Sequence, residues 1–169
     1  MRTNSAPDEN QFQFRRATAD DLLLYLTWAN DPEVRNNSFS TKQISLESHT
    51  QWFQAKLDSS STYLFVCCEG EEPIGQIRFE KEGESFFVNF SVDKRYRGRG
   101  IGKFILRKGA NYLRSQVREK NMRILGYVKK GNAASTRAFY RAGFELLEET
   151  KVHGEETFVF IDASTDMNG

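Results

Sequence analysis

Hydrophobic and polar positions follow two periods along this chain, one near two residues and one near 3.6, and the switches between them mark the expected elements. "FQFRRAT" reads as a short strand, and "ADDLLLYLTWAND" as a helix with Asp20 or Asp21 at its N-terminal cap and Pro32 as a breaker beyond its end. In "ISLESHTQWFQAKLD", Leu46, His49, Trp52 or Phe53, and Leu57 recur at helical spacing, which predicts an amphipathic helix. "TYLFVCCEG", "EPIGQIRFEK" and "ESFFVNFSVD" are extended runs separated by "GEEP" and "KEGE", the turn chemistry of an antiparallel meander. Ile101, Ile105, Tyr112 or Leu113, and Val117 mark one face of a helix reaching to about Lys120, and "MRILGYV" is a strand. "NAASTRAFYRAGF" is a helix opened by Asn132 and stopped by Gly143; "FELLEET" and "ETFVFID" form a closing hairpin across "KVHGE". The pattern predicts an α/β (α+β) fold, with helices packed on a largely antiparallel sheet.

Length and composition narrow the picture. A chain of 169 residues suits one domain, taken as 11–162, between flexible termini at 1–10 and 163–169. Lys and Arg total 24 against 23 Asp and Glu, a net charge of +1 without the cationic excess of a duplex-binding protein. No nucleic-acid partner is expected. The adjacent Cys67 and Cys68 fit neither a disulfide framework nor a metal spacing, and read as small buried strand residues in a reducing compartment. No run is apolar enough for a signal or membrane helix, so a cytoplasmic protein with no membrane partner is expected.

The candidate chemistry lies in "VDKRYRGRGIGKF", where glycines at 98, 100 and 102 separate a strand from a helix. A Walker A loop would need Gly at 97, where Arg stands, and Ser or Thr after Lys103, where Phe104 stands. The dinucleotide fingerprint counted from Gly98 would need Gly at 103 and an early position in a parallel unit. Arg97-x-x-Gly100-x-Gly102 does fit an anion nest. Free N–H groups and the positive end of the dipole favour an anion at a helix start, and glycines let the backbone approach it. Arg95, Arg97, Arg99 and Lys103 add positive charge.

These residues resemble the signature of the GNAT superfamily of N-acetyltransferases, Arg/Gln-x-x-Gly-x-Gly/Ala between a strand and a helix. A second family motif follows in order, with Asn132, Ser135, Tyr140 and Gly143-Phe144. The resemblance runs from about Phe12 to Asp162. It implies the GNAT fold, a mostly antiparallel mixed sheet of about six or seven strands flanked by about four helices. The implied cosubstrate is acetyl-CoA, with no metal, and its pyrophosphate would lie on Arg97, Gly98, Arg99, Gly100, Ile101, Gly102 and Lys103. Asn132 and Ser135 are implied as further cofactor contacts, and the backbone from Phe90 to Val92 as the oxyanion donor. Tyr140 would protonate the departing sulfur. Relatives that acetylate peptides carry Glu five residues before the motif Asn, and Tyr127 stands there in this chain. Proton removal is therefore assigned to water held by Asn89, Ser91 or a nearby carboxylate such as Glu80, with His49 as another candidate; His153 belongs to an exposed turn.

"WANDPEVRNNSFSTKQISLESHTQWF" resembles the subgroup of ribosomal-protein N-terminal acetyltransferases and, through Asp-Pro-Glu-Val-Arg and His-x-x-Trp-Phe, the acetyltransferases of the pseudaminic acid pathway. The latter resemblance implies a UDP-linked deoxy amino sugar, acetylated on its 4-amino group, with Arg35, His49, Trp52 and Arg78 as substrate contacts. Two other readings stand beside it: an N-terminal acetyltransferase of a protein, which an acidic pocket would favour, and a non-catalytic acyl-CoA sensor. The C-terminal strand offers an edge for pairing in a homodimer.

Overall fold

The computed structural model describes residues 8–119 and 121–162. After a 3₁₀ turn at Glu9–Gln11, seven strands and five α-helices follow. The strands are β1 (Phe12–Arg16), β2 (Thr62–Glu69), β3 (Glu72–Glu82), β4 (Ser85–Val92), β5 (Arg123–Lys129), β6 (Phe144–Val152) and β7 (Glu155–Asp162). The helices are α1 (Leu22–Ala29), α2 (Pro32–Asn37), α3 (Leu46–Asp58), α4 (Ile101–Gln116) and α5 (Ala133–Arg141). Every extended run expected from the sequence is a strand. The expected helix from the glycines toward Lys120 ends at Gln116, and Lys120 lies outside the described residues, as do 1–7 and 163–169.

One sheet orders the strands β1-β2-β3-β4-β5-β7-β6. All neighbours are antiparallel except β4 and β5, which run parallel and pair only at Ser85↔Arg123, Phe86↔Ile124 and Phe87↔Leu125. Beyond Phe87 the two strands diverge. Helices cover both faces: α4 and α5 pack on a core containing Phe65, Ile77, Phe79 and Phe86, while Tyr25, Trp28 and Phe53 of α1 and α3 pack on Leu64, Val66 and Cys68. Double coverage explains why "LFVCC" is apolar without alternation. Cys67 and Cys68 are buried on opposite faces, and burial pushes the Cys67 thiol up to about 12.

Two local expectations change. Pro32 begins a helix instead of only ending one: Asp31 accepts hydrogen bonds from the N–H groups of Glu33 and Val34, and proline at the first helical position leaves no needed donor unmade. Leu46, expected on the buried face of α3, is 55% exposed, because the packed stripe begins at His49 and Phe53.

Asp93, just past β4, fastens the two layers together. Its carboxylate accepts from Trp28 Nε1 at 3.0 Å and from Arg95 Nε at 3.1 Å, and its backbone N–H donates to Ile74 O. Burial alone would raise its pKa, but the Arg95 and Trp28 hydrogen bonds outweigh that and hold it at about 2, against 3.8 for a free carboxyl. The stability it contributes is therefore complete above pH 3.8 and lost as pH falls through about 2. Asp93→Asn is expected to cost ~1–3 kcal/mol in urea unfolding at neutral pH and to remove that acid-dependent increment. At Gly126, where β4 and β5 part, an added Cβ would lie 2.4 Å from the buried Phe139 ring. Gly126→Ala should cost ~1–3 kcal/mol in the same measurement, since that ring has no room to retreat.

Candidate active site

The divergence of β4 from β5 opens a cleft of about 560 Å³. Hydrogen-bonding directions alternate along a strand, and Asp93 N–H donates to Ile74 O on β3. Counting back by twos, Asn89 and Ser91 bond β3, so the N–H groups of Phe90 and Val92, beyond the last β4–β5 pair at Phe87, face the gap that β5 has vacated. Preorganised donors in mid-sheet suit a developing oxyanion.

The glycine-rich loop forms the next wall. Gly98 and Gly100 have φ of +77° and +71°, a left-handed conformation that glycine tolerates freely. Gly102 serves another purpose: its Cβ would stand 3.3 Å from both Ala138 of α5 and the Phe90 ring, so its absence brings the start of α4 against both. Gly98, Gly100, Ile101, Gly102 and Lys103 line the cleft, as do Phe90, Val92, Asn132 and Ser135. Asn132 accepts from Ser135 N–H and thereby caps α5.

Arg97 occupies the expected place with a second task. Its guanidinium donates to Val92 O, Glu33 Oε2 and Asp31 Oδ1 at 2.8–3.1 Å. These bonds tie the loop to α2, while Arg97 also lines the cleft as expected of a residue beside the anion. Arg95 is likewise paired, with Asp93 and Glu72, and Arg99 lies outside the cleft lining, 3.9 Å from Glu69. Arg97 lines the cleft with its charge paired; the other cations there, Lys103, Arg137 and Arg141, enter no ion pair with described residues. Arg137 and Arg141 were not singled out in the sequence; their four-residue spacing after the Asn132 cap is the signal that would have found them.

Tyr140 is turned away. Phe139 lines the cleft, and one further residue rotates about 100° around a helix. Tyr140 is 52% exposed, packs edge-on against Phe160 and is not among the residues lining the cleft. Glu80 is also displaced from the role of base: it pairs with Lys56 at 2.9 Å and Arg78 at 3.6 Å, outside both cavities. Tyr127 lines the cleft and stacks on Phe87.

A second pocket, of about 360 Å³, opens on the other side of β4 and shares Val34, Ser38, Asn89 and Ser91 with the cleft. Arg35, His49, Trp52 and Arg78 all line it. Its floor is a polar tile on one face of β3 and β4, with Gln76 opposite Ser91 and Arg78 opposite Asn89. Gln76 Nε2 donates to Asn89 Oδ1 at 3.1 Å and Ser91 Oγ at 3.3 Å, while its buried Oε1 has no partner among the described residues. Arg35 is partly diverted: its guanidinium bonds the carbonyls of Ala29, Ser40 and Lys42 and the Ser38 hydroxyl, stapling the loop after α2. His49 Nε2 donates to Leu22 O at 2.8 Å, which leaves Nδ1 as the acceptor of a ring that burial keeps neutral by lowering its pKa. Neither Asp nor Glu lines this pocket.

Comparison with known proteins agrees with this geometry. Residues 11–145 match the family model described as an acetyltransferase (GNAT) domain. A mycothiol acetyltransferase of Corynebacterium glutamicum is 25% identical over 128 residues, 74% of this chain; the chain spans about 40% of that relative's length. The spermidine N-acetyltransferase of Vibrio cholerae, in complex with CoA and spermine, superposes with a TM-score of 0.78 at 12% identity, covering 90% of this chain and 95% of that one. Aminoglycoside acetyltransferase AAC(6')-Ib, in complex with ribostamycin and coenzyme A, also reaches 0.78 at 15% identity, covering 91% and 94%. With a seven-stranded sheet that parts between β4 and β5, a glycine-rich loop at the start of α4 and a family match over most of its length, the chain belongs to the GNAT acetyltransferase family.

Proposed function

We propose that this protein transfers the acetyl group of acetyl-CoA to a primary amine of a small molecule. The observation that carries this is the unpaired β4 edge at Phe90 and Val92, opening on one side to the glycine-rich loop and on the other, past Asn89 and Ser91, to an acceptor pocket. Similar proteins named for spermidine, aminoglycosides and mycothiol support an amine-bearing small molecule. In the reaction the amine nitrogen bonds to the thioester carbon, the carbon–sulfur bond breaks, and the proton lost from nitrogen is balanced by one gained on sulfur. Backbone N–H groups of Phe90 and Val92 stabilise the developing oxyanion, an effect typically of about 10²- to 10³-fold for one such donor. The α4 N-terminus, with Gly98, Gly100 and Gly102, receives the pyrophosphate; Lys103, Arg137 and Arg141 supply the surrounding positive charge. His49 Nδ1, neutral and unspent, is the group assigned to receive the amine's proton.

For the acceptor, a UDP-linked deoxy amino sugar is the finer reading, supported by Arg35, His49 and Trp52 of the Asp-Pro-Glu-Val-Arg and His-x-x-Trp-Phe elements reaching one pocket. A protein N-terminus is less well served, because no carboxylate lines that pocket to meet a cationic peptide end. Thiol release from acetyl-CoA on addition of a UDP-4-amino-4,6-dideoxy-N-acetylhexosamine is the expected result. Release with peptides alone would overturn the sugar, and release with no amine would overturn acetyl transfer. Tyr140→Phe should keep kcat within about twofold of the parent, since the hydroxyl stands outside the cleft; a loss of tenfold or more in the same assay would return it to the mechanism.

A further inference from the structure

Acetyl transfer needs an amine and a donor; it does not require a cation on the acceptor side. The acceptor pocket nevertheless holds one with its hydrogen-bonding capacity unspent. Arg78 projects from the floor of the pocket, 24% exposed, with its guanidinium carbon 5.0 Å from the centre of the Trp52 ring. Its single ionic contact among the described residues is Nε to Glu80 at 3.6 Å, and Glu80 is already paired with Lys56 at 2.9 Å. Lys56, Glu80 and Arg78 together leave one positive charge. The two terminal nitrogens of Arg78 make no hydrogen bond to described residues, in contrast to Arg35, whose nitrogens are consumed by three carbonyls and a hydroxyl. Burial disfavours the Arg78 cation more than Glu80 favours it, and the Arg35 charge adds to that disfavour, so an entering anion would relieve a cost that the fold maintains. Neither Asp nor Glu lines the pocket to do so from within.

We infer that the acceptor amine carries an anionic group, a carboxylate or a phosphate, which the planar fork of Arg78 grips over the face of Trp52. This rests on the acetyl-transfer reading above and narrows its substrate class. Two parallel N–H donors match the spacing of carboxylate or phosphate oxygens, and stacking on the indole holds the fork in one plane. The diphosphate of a nucleotide sugar is one such group; the carboxylate of an amino acid is another. A polyamine or aminoglycoside, which brings several positive charges, meets Arg78 and Arg35 in a pocket lined by no carboxylate. Arg78 is thus the specificity-determining residue of the pocket, and Gln76 positions the Asn89 and Ser91 side chains beside it.

Matched pairs of amines test this by kcat/KM in the thiol-release assay. They are the UDP-linked amino sugar with its free sugar, glucosamine 6-phosphate with glucosamine, and an amino acid with its amide, with spermidine and kanamycin alongside. In the pair holding the best acceptor, the anionic member should lead by roughly 10- to 100-fold, mainly through KM, and which pair it is separates phosphate from carboxylate. Arg78→Met should shrink that ratio toward one, whereas general damage to the fold would lower both members together; Arg78→Lys, charged but without the fork, should fall between. A neutral amine or polycation as best acceptor, or a ratio that survives in Arg78→Met, would overturn the inference while leaving acetyl transfer intact. Absence of release with every acceptor would remove acetyl transfer and this inference together.

Discussion

Everything in the site depends on two neighbouring strands failing to stay paired. Parallel β4 and β5 share three residue pairs and then separate, which strips hydrogen-bond partners from the N–H groups of one strand in the middle of a sheet. Unpaired backbone donors are costly to bury, so such an opening persists only where the surrounding structure enforces it and a ligand or water completes it. The enforcement is visible on both sides. Phe139 presses on Gly126 of β5, and Asp93, Trp28 and Arg97 anchor the end of β4 to α1, α2 and the glycine-rich loop. Both cavities then follow from one break, because Asn89 and Ser91 of β4 border the cleft and the acceptor pocket alike.

Arg97 shows how the two cavities are coupled. Its three hydrogen bonds join the carbonyl at the end of β4, the cap of α2 and the first acidic residue of that helix. The loop that receives an anion is therefore braced by the helix that walls the acceptor side, Val34 of which lines both spaces. A residue that a motif assigns to ligand charge also carries geometry here.

The strands and main helices were legible because hydrophobic period and turn chemistry act within a few residues: "TYLFVCC", "EPIGQIRFEK" and "ESFFVNFSVD" needed no distant information. The glycine-rich loop was legible for the same reason, since strand, glycines and helix start are contiguous. What was hidden is set by rotation or by distance. Tyr140 and Phe139 differ by a single position, yet that step decides which aromatic meets the cleft. Arg97 finds Asp31 and Glu33 more than sixty residues away, Glu80 is taken by Lys56, and Arg35 by the carbonyls of its own loop. The spare capacity of Arg78 is equally non-local, emerging only once its neighbours' partners are known.

The opened β4 edge can be tested directly by following backbone amide resonances during titration with acetyl-CoA. The account predicts that the N–H groups of Phe90 and Val92 shift and become protected from hydrogen exchange, while those of Asn89 and Ser91, already bonded to β3, change little. Saturable binding that leaves Phe90 and Val92 unprotected would contradict the account, because the donor would then be held somewhere other than between the parted strands.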